Sequence, residues 1–152
     1  MTTIPTHIQR QACVRVELPF PPSVHGLYRG GRWRGDISPE YKAWRDHAGM
    51  MLNRQHVRSF DGPVRVFIRL VAPDRRKRDS DNYAKAVLDL LAAHYVIEGD
   101  DSSIVLSHYV EWAENGPPCT VVVQDAPDTW EAFGDVMARI FTAMPMPKRE
   151  AS

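Results

Sequence analysis

Asp79 and Asp81 stand two residues apart, directly behind the basic run Arg75, Arg76, Lys77 and Arg78 and ahead of a helical pattern. In extended backbone, residues i and i+2 point the same way, so the two carboxylates can converge. Converging carboxylates repel and require a cation between them. Hard oxygen ligands suit Mg2+, which keeps several waters and takes one or two carboxylates together with phosphate oxygens. A third acid, Asp100 or Asp101, sits in the turn Glu98-Gly99-Asp100-Asp101 and can swing back to the same place. Lys85 lies one helical turn beyond Asp81 on the same face. An ammonium beside a metal suits a phosphate, or the charge that develops on one. The four cations upstream suit a polyanionic backbone.

Each feature has a plainer reading. Acids before a helix cap it and favour its dipole. Two aspartates in a turn serve turn chemistry. A short basic run is usually a solvated loop, and Lys85 is placed to pair with Asp81 or Asp89 at i,i+4 spacing. Their joint occurrence between Arg75 and Asp101 is harder to explain that way.

The elements that must position these residues are legible. Cys13 to Leu18 alternates and predicts a half-buried strand, ended by Pro19, Pro21 and Pro22. Residues 25–37, HGLYRGGRWRGDI, predict a loop or loose hairpin rich in glycine and arginine. Ser38, Pro39 and Glu40 open a helix that runs to about His56, with Tyr41, Trp44, Ala48 and Met51 on one face. Val64 to Ala72 predicts a strand, with Val66, Ile68 and Leu70 facing one way. A helix is expected from about Asp81 to His94, burying Ala84, Val87, Leu88 and Leu91. Residues 103–113 and Cys119 to Gln124 read as strands joined by Asn115-Gly116-Pro117-Pro118, and are expected to pair as a hairpin. A last amphipathic helix is expected at about Asp128 to Met144, carrying Trp130, Phe133, Met137 and Phe141.

The chain has 152 residues, enough for one domain with its own core. Hydrophobic residues at 43% and charged residues at 25% match ordinary globular usage. No apolar run reaches the length of a membrane span, and MTTIPTHIQRQACV lacks a secretory signal pattern, so a cytoplasmic protein with no membrane partner is expected. Cys13 and Cys119 are expected to be reduced core thiols. The net charge of zero hides a segregation: residues 26–85 hold 14 Lys and Arg against 7 Asp and Glu, and residues 86–152 hold 3 against 11. Such asymmetry points to a basic surface opposite an acidic one. There is no P-loop, no dinucleotide fingerprint, no zinc-type histidine pair and no nucleophile elbow.

Three blocks together resemble the RusA-type Holliday-junction resolvases, small magnesium-dependent endodeoxyribonucleases of bacteria and prophages. LPFPPSVHGLYR is similar to that family's LPxPPS segment. APDRRKRDSDNYAKAVLDLL is similar to PDRRxRDxDNxxKxxxDxL, and VIEGDDSSIV to its acidic-pair segment. The middle block is the most specific, and the likeness runs from about Val14 to Val123. Val24-His25 and Ser103 depart from the asparagine and glutamine usual at those places. The resemblance implies metal-binding acids at Asp79, Asp81 and Asp101 with Asp100 beside them, a catalytic lysine at Lys85, and a supporting amide at Asn82. It implies a homodimer and an α+β fold around one mixed sheet of about four strands.

The expected function is therefore junction resolution with Mg2+, Mn2+ being able to substitute. Arg75, Arg76, Lys77, Arg78, Arg29, Arg32 and Arg34, with Asn82, are the expected DNA contacts. Tyr28 and Trp33 are either base-stacking or buried. The alternatives are a related nuclease on other branched or single-stranded DNA, or a DNA-binding module without activity. The nuclease domain is expected at 12–125, a helical extension packed on it at 126–144, and flexible tails at 1–11 and 145–152. Trp44 and Trp112 are candidates for a twofold interface.

Overall fold

The structure is a computed structural model and describes residues 13–29 and 35–126. Arg32, Trp33, Arg34, the helix expected at Asp128 to Met144 and both expected tails lie outside the described residues. Among the described residues four strands and two helices follow in the order β1 (Cys13–Leu18), α1 (Pro39–Arg54), β2 (Val64–Val71), α2 (Ala84–Ala93), β3 (Val105–Ala113) and β4 (Cys119–Asp125). Short 3-10 turns occupy Val24–Gly26 and Ser80–Tyr83. The strands form one mixed sheet in the order β1-β4-β2-β3, the α+β architecture that the sequence implies.

Local chemistry sets the helix boundaries. The Ser38 Oγ accepts from the Tyr41 N–H at 3.1 Å and its own hydroxyl donates to the Gly26 carbonyl at 2.6 Å. That cap satisfies a backbone donor the helix cannot, and Pro39 follows where a missing N–H costs nothing. The buried face of α1 carries Tyr41, Trp44, Ala48 and Leu52. Gly49 permits the close approach of α2's end: a Cβ there would stand 2.7 Å from the His94 Nε2.

The predicted hairpin between residues 103–113 and 119–124 does not form. β4 pairs antiparallel with β2, from Val64 opposite Asp125 to Leu70 opposite Cys119, and with β1 on its other side. Among the described residues β3 pairs with β2 alone, in parallel. The burial explains it. Cys119 to Gln124 is buried on both faces, as a central strand must be, whereas β3 alternates with exposed residues and suits an edge. The connection 114–118 therefore passes the end of β2, where the Val71 N–H donates to the Pro118 carbonyl at 3.0 Å.

The core lies between one sheet face and the two helices. Val16, Leu18, Val66, Ile68, Leu70, Val121 and Val123 meet Leu52, Val87 and Leu91 there. The alternation read for β2 holds, but its other face is buried too. Arg65 bonds the Ser107 Oγ at 2.9 Å and Arg69 pairs with Glu111, both across to β3.

Two further expectations need correction. Trp44 is not an interface residue of an exposed kind: it is 9% exposed in the chain's own core, its indole N–H donating to the Pro19 carbonyl at 3.1 Å. Cys119 is buried as expected, its thiol pushed up to about 12 by burial. Cys13 is exposed, because it opens an edge strand, and the ladder places it opposite Gln124, at the far end from Cys119.

The free edge of β1 is blocked at one point. The Gln55 side chain accepts from the Glu17 N–H at 2.8 Å and donates to the Glu17 carbonyl at 2.7 Å, as a neighbouring strand would. Unpaired edges invite other chains. In urea denaturation, Gln55→Ala is expected to cost about 1 kcal/mol and to raise light scattering on standing. Ile68→Ala, which empties a fully buried site, is expected to cost about 2–5 kcal/mol. An Ile68→Ala loss no larger than that of Gln55→Ala would contradict this division of roles.

Candidate nuclease site

Every acid and cation in the specific block lies in the connection between β2 and β3. The chain leaves β2 at Val71, passes the basic loop, makes the 3-10 turn Ser80–Tyr83, runs along α2 and returns through the acidic turn to β3 at Val105.

The basic loop is organised by Asp74, a residue the sequence reading passed over. Its carboxylate accepts from the Arg76 N–H at 2.8 Å and pairs with the guanidinium of Arg78 at 2.8 Å and of Arg76 at 3.0 Å. The Arg78 side chain is only 13% exposed. It also donates to the Arg76 carbonyl and lies 5.8 Å over the Phe20 ring. Arg75, Arg76 and Lys77 are exposed, as is Arg29 in its own loop. Arg78 thus shapes the loop while its three neighbours face solvent. The Arg78 hydrogen bond and the Arg76 N–H hold the Asp74 carboxyl well below the usual carboxylate range.

Beyond the loop, Asp79 and Asp81 are exposed. The Asn82 N–H donates to the Asp79 carbonyl at 3.3 Å and closes the turn that carries both acids. Among the described residues no hydrogen bond or ion pair engages either carboxylate. Tyr83, next in line, is buried against Phe20 and Trp112, with ring centroids at 5.2 and 5.7 Å. This aromatic packing anchors the turn to the end of β3, and Trp112 remains 36% exposed. Tyr28 packs partly buried against the core.

Lys85 does not reach back to Asp81. Its ammonium lies 2.6 Å from the Asp89 Oδ1 and 3.3 Å from the Asp100 Oδ2. Asp89, which the sequence offered only as an i,i+4 partner, sits at the centre of this group. Burial pushes its carboxyl above the ordinary value, while the hydrogen bond from Asp89 holds Asp100 below it. Burial opposes the charge on Lys85, and the two aspartates override that and hold the ammonium above its ordinary value. Asp101 turns the other way: its Oδ1 accepts from the Ser103 N–H at 2.8 Å and from the Ser103 hydroxyl, which lowers its pKa.

The structure thus joins Lys85 with Asp100 and adds Asp89. It leaves Asp79 and Asp81 apart from them, and no three His, Cys, Asp or Glu side chains among the described residues are gathered closely enough to hold an ion. The donor chemistry still suits a hard divalent cation, since Asp79 and Asp81 offer unengaged carboxylate oxygens.

A depressed carboxylate lends stability above the ordinary carboxylate range and loses it as pH falls through its folded value. For Asp74 that contribution depends on Arg78. In carbon-detected NMR titrations, Arg78→Gln is expected to move the Asp74 midpoint up toward the ordinary value. An unmoved midpoint would contradict the assignment of Arg78 to Asp74.

Residues 19–124 match the family model Endodeoxyribonuclease RusA. Crossover junction endodeoxyribonuclease RusA of Escherichia coli (strain K12) is 38% identical over 77 residues, which are 50% of this chain and 64% of that protein. The proteins of that name from Shigella sonnei (strain Ss046) and Enterobacteria phage 82 are each 39% identical over the same length and shares. The matched segment thus spans less than two thirds of these relatives. The family model, by contrast, takes in all of the connection from the basic loop to the acidic turn. The chain belongs to the Endodeoxyribonuclease RusA family.

Proposed function

We propose that this chain is a magnesium-dependent endodeoxyribonuclease that resolves four-way DNA junctions by paired nicks in recombination and repair. The observation that carries the reading is the contact of Lys85 with Asp100, inside the one connection that also presents two unengaged aspartates and three solvent-facing cations. The relatives' name, crossover junction endodeoxyribonuclease, supports the same substrate.

Asp79, Asp81 and Asp101, with Asp100 adjacent, are the acids that would hold Mg2+ or, in its place, Mn2+. A divalent ion held by these acids would supply an acidified water and would offset charge on the scissile phosphate. The Lys85 ammonium stabilises the extra negative charge of the transition state or assists the departing 3′ oxygen. Asn82 supports the turn that presents Asp79 and Asp81. Arg75, Arg76, Lys77 and Arg29, with Arg32 and Arg34, follow the phosphate backbone. Arg78 joins them only by leaving Asp74. A junction must be cut on two opposed strands, so the working unit is a homodimer whose two sites match the substrate's pseudo-twofold symmetry. The protein, encoded by a bacterium or its prophage, works in the cytoplasm in association with the nucleoid.

With a synthetic junction and Mg2+, Asp79→Asn is expected to remove most cleavage while binding stays intact or tightens, because carboxylate–phosphate repulsion is relieved. Full activity in that variant would overturn the metal assignment. Lys77→Ala is expected to weaken binding equally across junction sequences and to flatten the slope of log K against log salt by about 1. An unchanged slope would remove Lys77 from the DNA surface. Sedimentation is expected to show a species near twice 17.3 kDa, and a strict monomer that still cuts both strands together would refute the dimeric mechanism.

A further inference from the structure

The Lys85–Asp89 contact has the spacing of an ordinary helix surface pair, which contributes little to stability. Its surroundings are not those of a surface pair. The Asp89 side chain is 24% exposed and is held from three elements. The Tyr41 hydroxyl of α1 donates to its Oδ2 at 3.5 Å, Asp100 of the acidic turn shares the Lys85 ammonium with it, and α2 supplies its backbone. Burial and the Asp89 charge push the Tyr41 hydroxyl up to about 12, so it remains a donor throughout the working range.

An ammonium has three donors and a flexible four-carbon stem. Here two donors are committed, at 2.6 Å to Asp89 and 3.3 Å to Asp100. That leaves the third to point outward from a side chain that is still 44% exposed. A lysine held this way meets a phosphate without first ordering its stem, whereas a free one must be ordered at the moment of reaction.

We propose that Asp89 is a positioning residue, fixed by Tyr41 and Asp100, that holds the Lys85 ammonium in place for the scissile phosphate. The proposal rests on the nuclease reading above. It differs from a plain helix pair, whose loss leaves the rate unchanged, and from a latch that withholds Lys85, whose loss speeds the reaction.

The test uses the full chain with Mg2+ and a synthetic four-way junction under single-turnover conditions. Asp89→Asn is expected to slow cleavage by about tenfold, as a small misplacement of a reacting group does, with junction affinity unchanged. Tyr41→Phe is expected to give a smaller loss of the same kind, and serves where Asp89→Asn disturbs folding. Adding Asp89→Asn to Lys85→Ala is expected to slow the reaction no further. Cleavage by Asp89→Asn as fast as or faster than the parent, or losses that multiply in the double variant, would overturn the proposal. NMR of the Lys85 ammonium protons supplies a readout apart from activity: restricted motion in the parent chain and free rotation in Asp89→Asn. Equal mobility in both would refute the positioning role even with cleavage intact. A parent chain that holds Lys85 rigidly but leaves junctions uncut would instead sink the nuclease reading.

Discussion

The pairing of β2 with β3 in parallel is the constraint on which the rest depends. Antiparallel strands can be joined by a two-residue turn, but a parallel pair requires a crossover that carries the chain back to the starting end of the sheet. Here that crossover runs from Val71 to Val105, and it contains the basic loop, the Asp79–Asp81 turn, the lysine-bearing helix and the acidic turn. Chemistry that looks like a run of local motifs in the sequence is one long connection, pinned at one end by the central strand β2 and at the other by the edge strand β3. α2 buries Ala84, Ala86, Val87, Leu88, Leu90 and Leu91, so the helix that presents Lys85 is also a main support of the core.

Within the crossover, two aspartates do opposite things with their cations. Asp74 draws Arg78 inward, pairs with Arg76 at the surface, and sets the shape of a loop whose other charges face outward. Asp89 lies under Lys85 and leaves part of that side chain exposed. Both pairs are partly buried, and each fixes where its cation lies. The aromatic contacts of Tyr83 with Phe20 and Trp112 complete the frame, since they hold the turn between loop and helix against the end of β3.

Much of this was legible in the sequence. Ser38 and Pro39 mark the start of α1, the alternation of Val66, Ile68 and Leu70 marks β2, and the spacing of Ala84, Val87, Leu88 and Leu91 marks the buried face of α2. Those signals are local, and local chemistry decides them. The hairpin of β3 with β4 failed because alternation and a Gly-Pro turn report strands but not which neighbour each one takes. The continuous apolar run Val121 to Val123 was the available sign of a central strand. Asp89 does not stand out in the sequence as a site residue, because i,i+4 spacing to a lysine is common. What sets it apart is the approach of Tyr41 and Asp100, from 48 residues before it and from the far end of the helix. Arg78 was grouped with its neighbours because a basic run does not show which guanidinium turns inward. The candidate acids and lysine were nonetheless named from spacing and resemblance, and Lys85 does meet Asp100.

The most direct measurement is a cleavage assay on a four-way junction labelled on each of its four strands, run beside a linear duplex of the same sequence, with Mg2+ and with EDTA. The central claim predicts symmetric nicks on two opposed strands of the junction with Mg2+, none with EDTA, and an uncut linear duplex. Equal cutting of junction and linear duplex, or cutting that persists in EDTA, would contradict it.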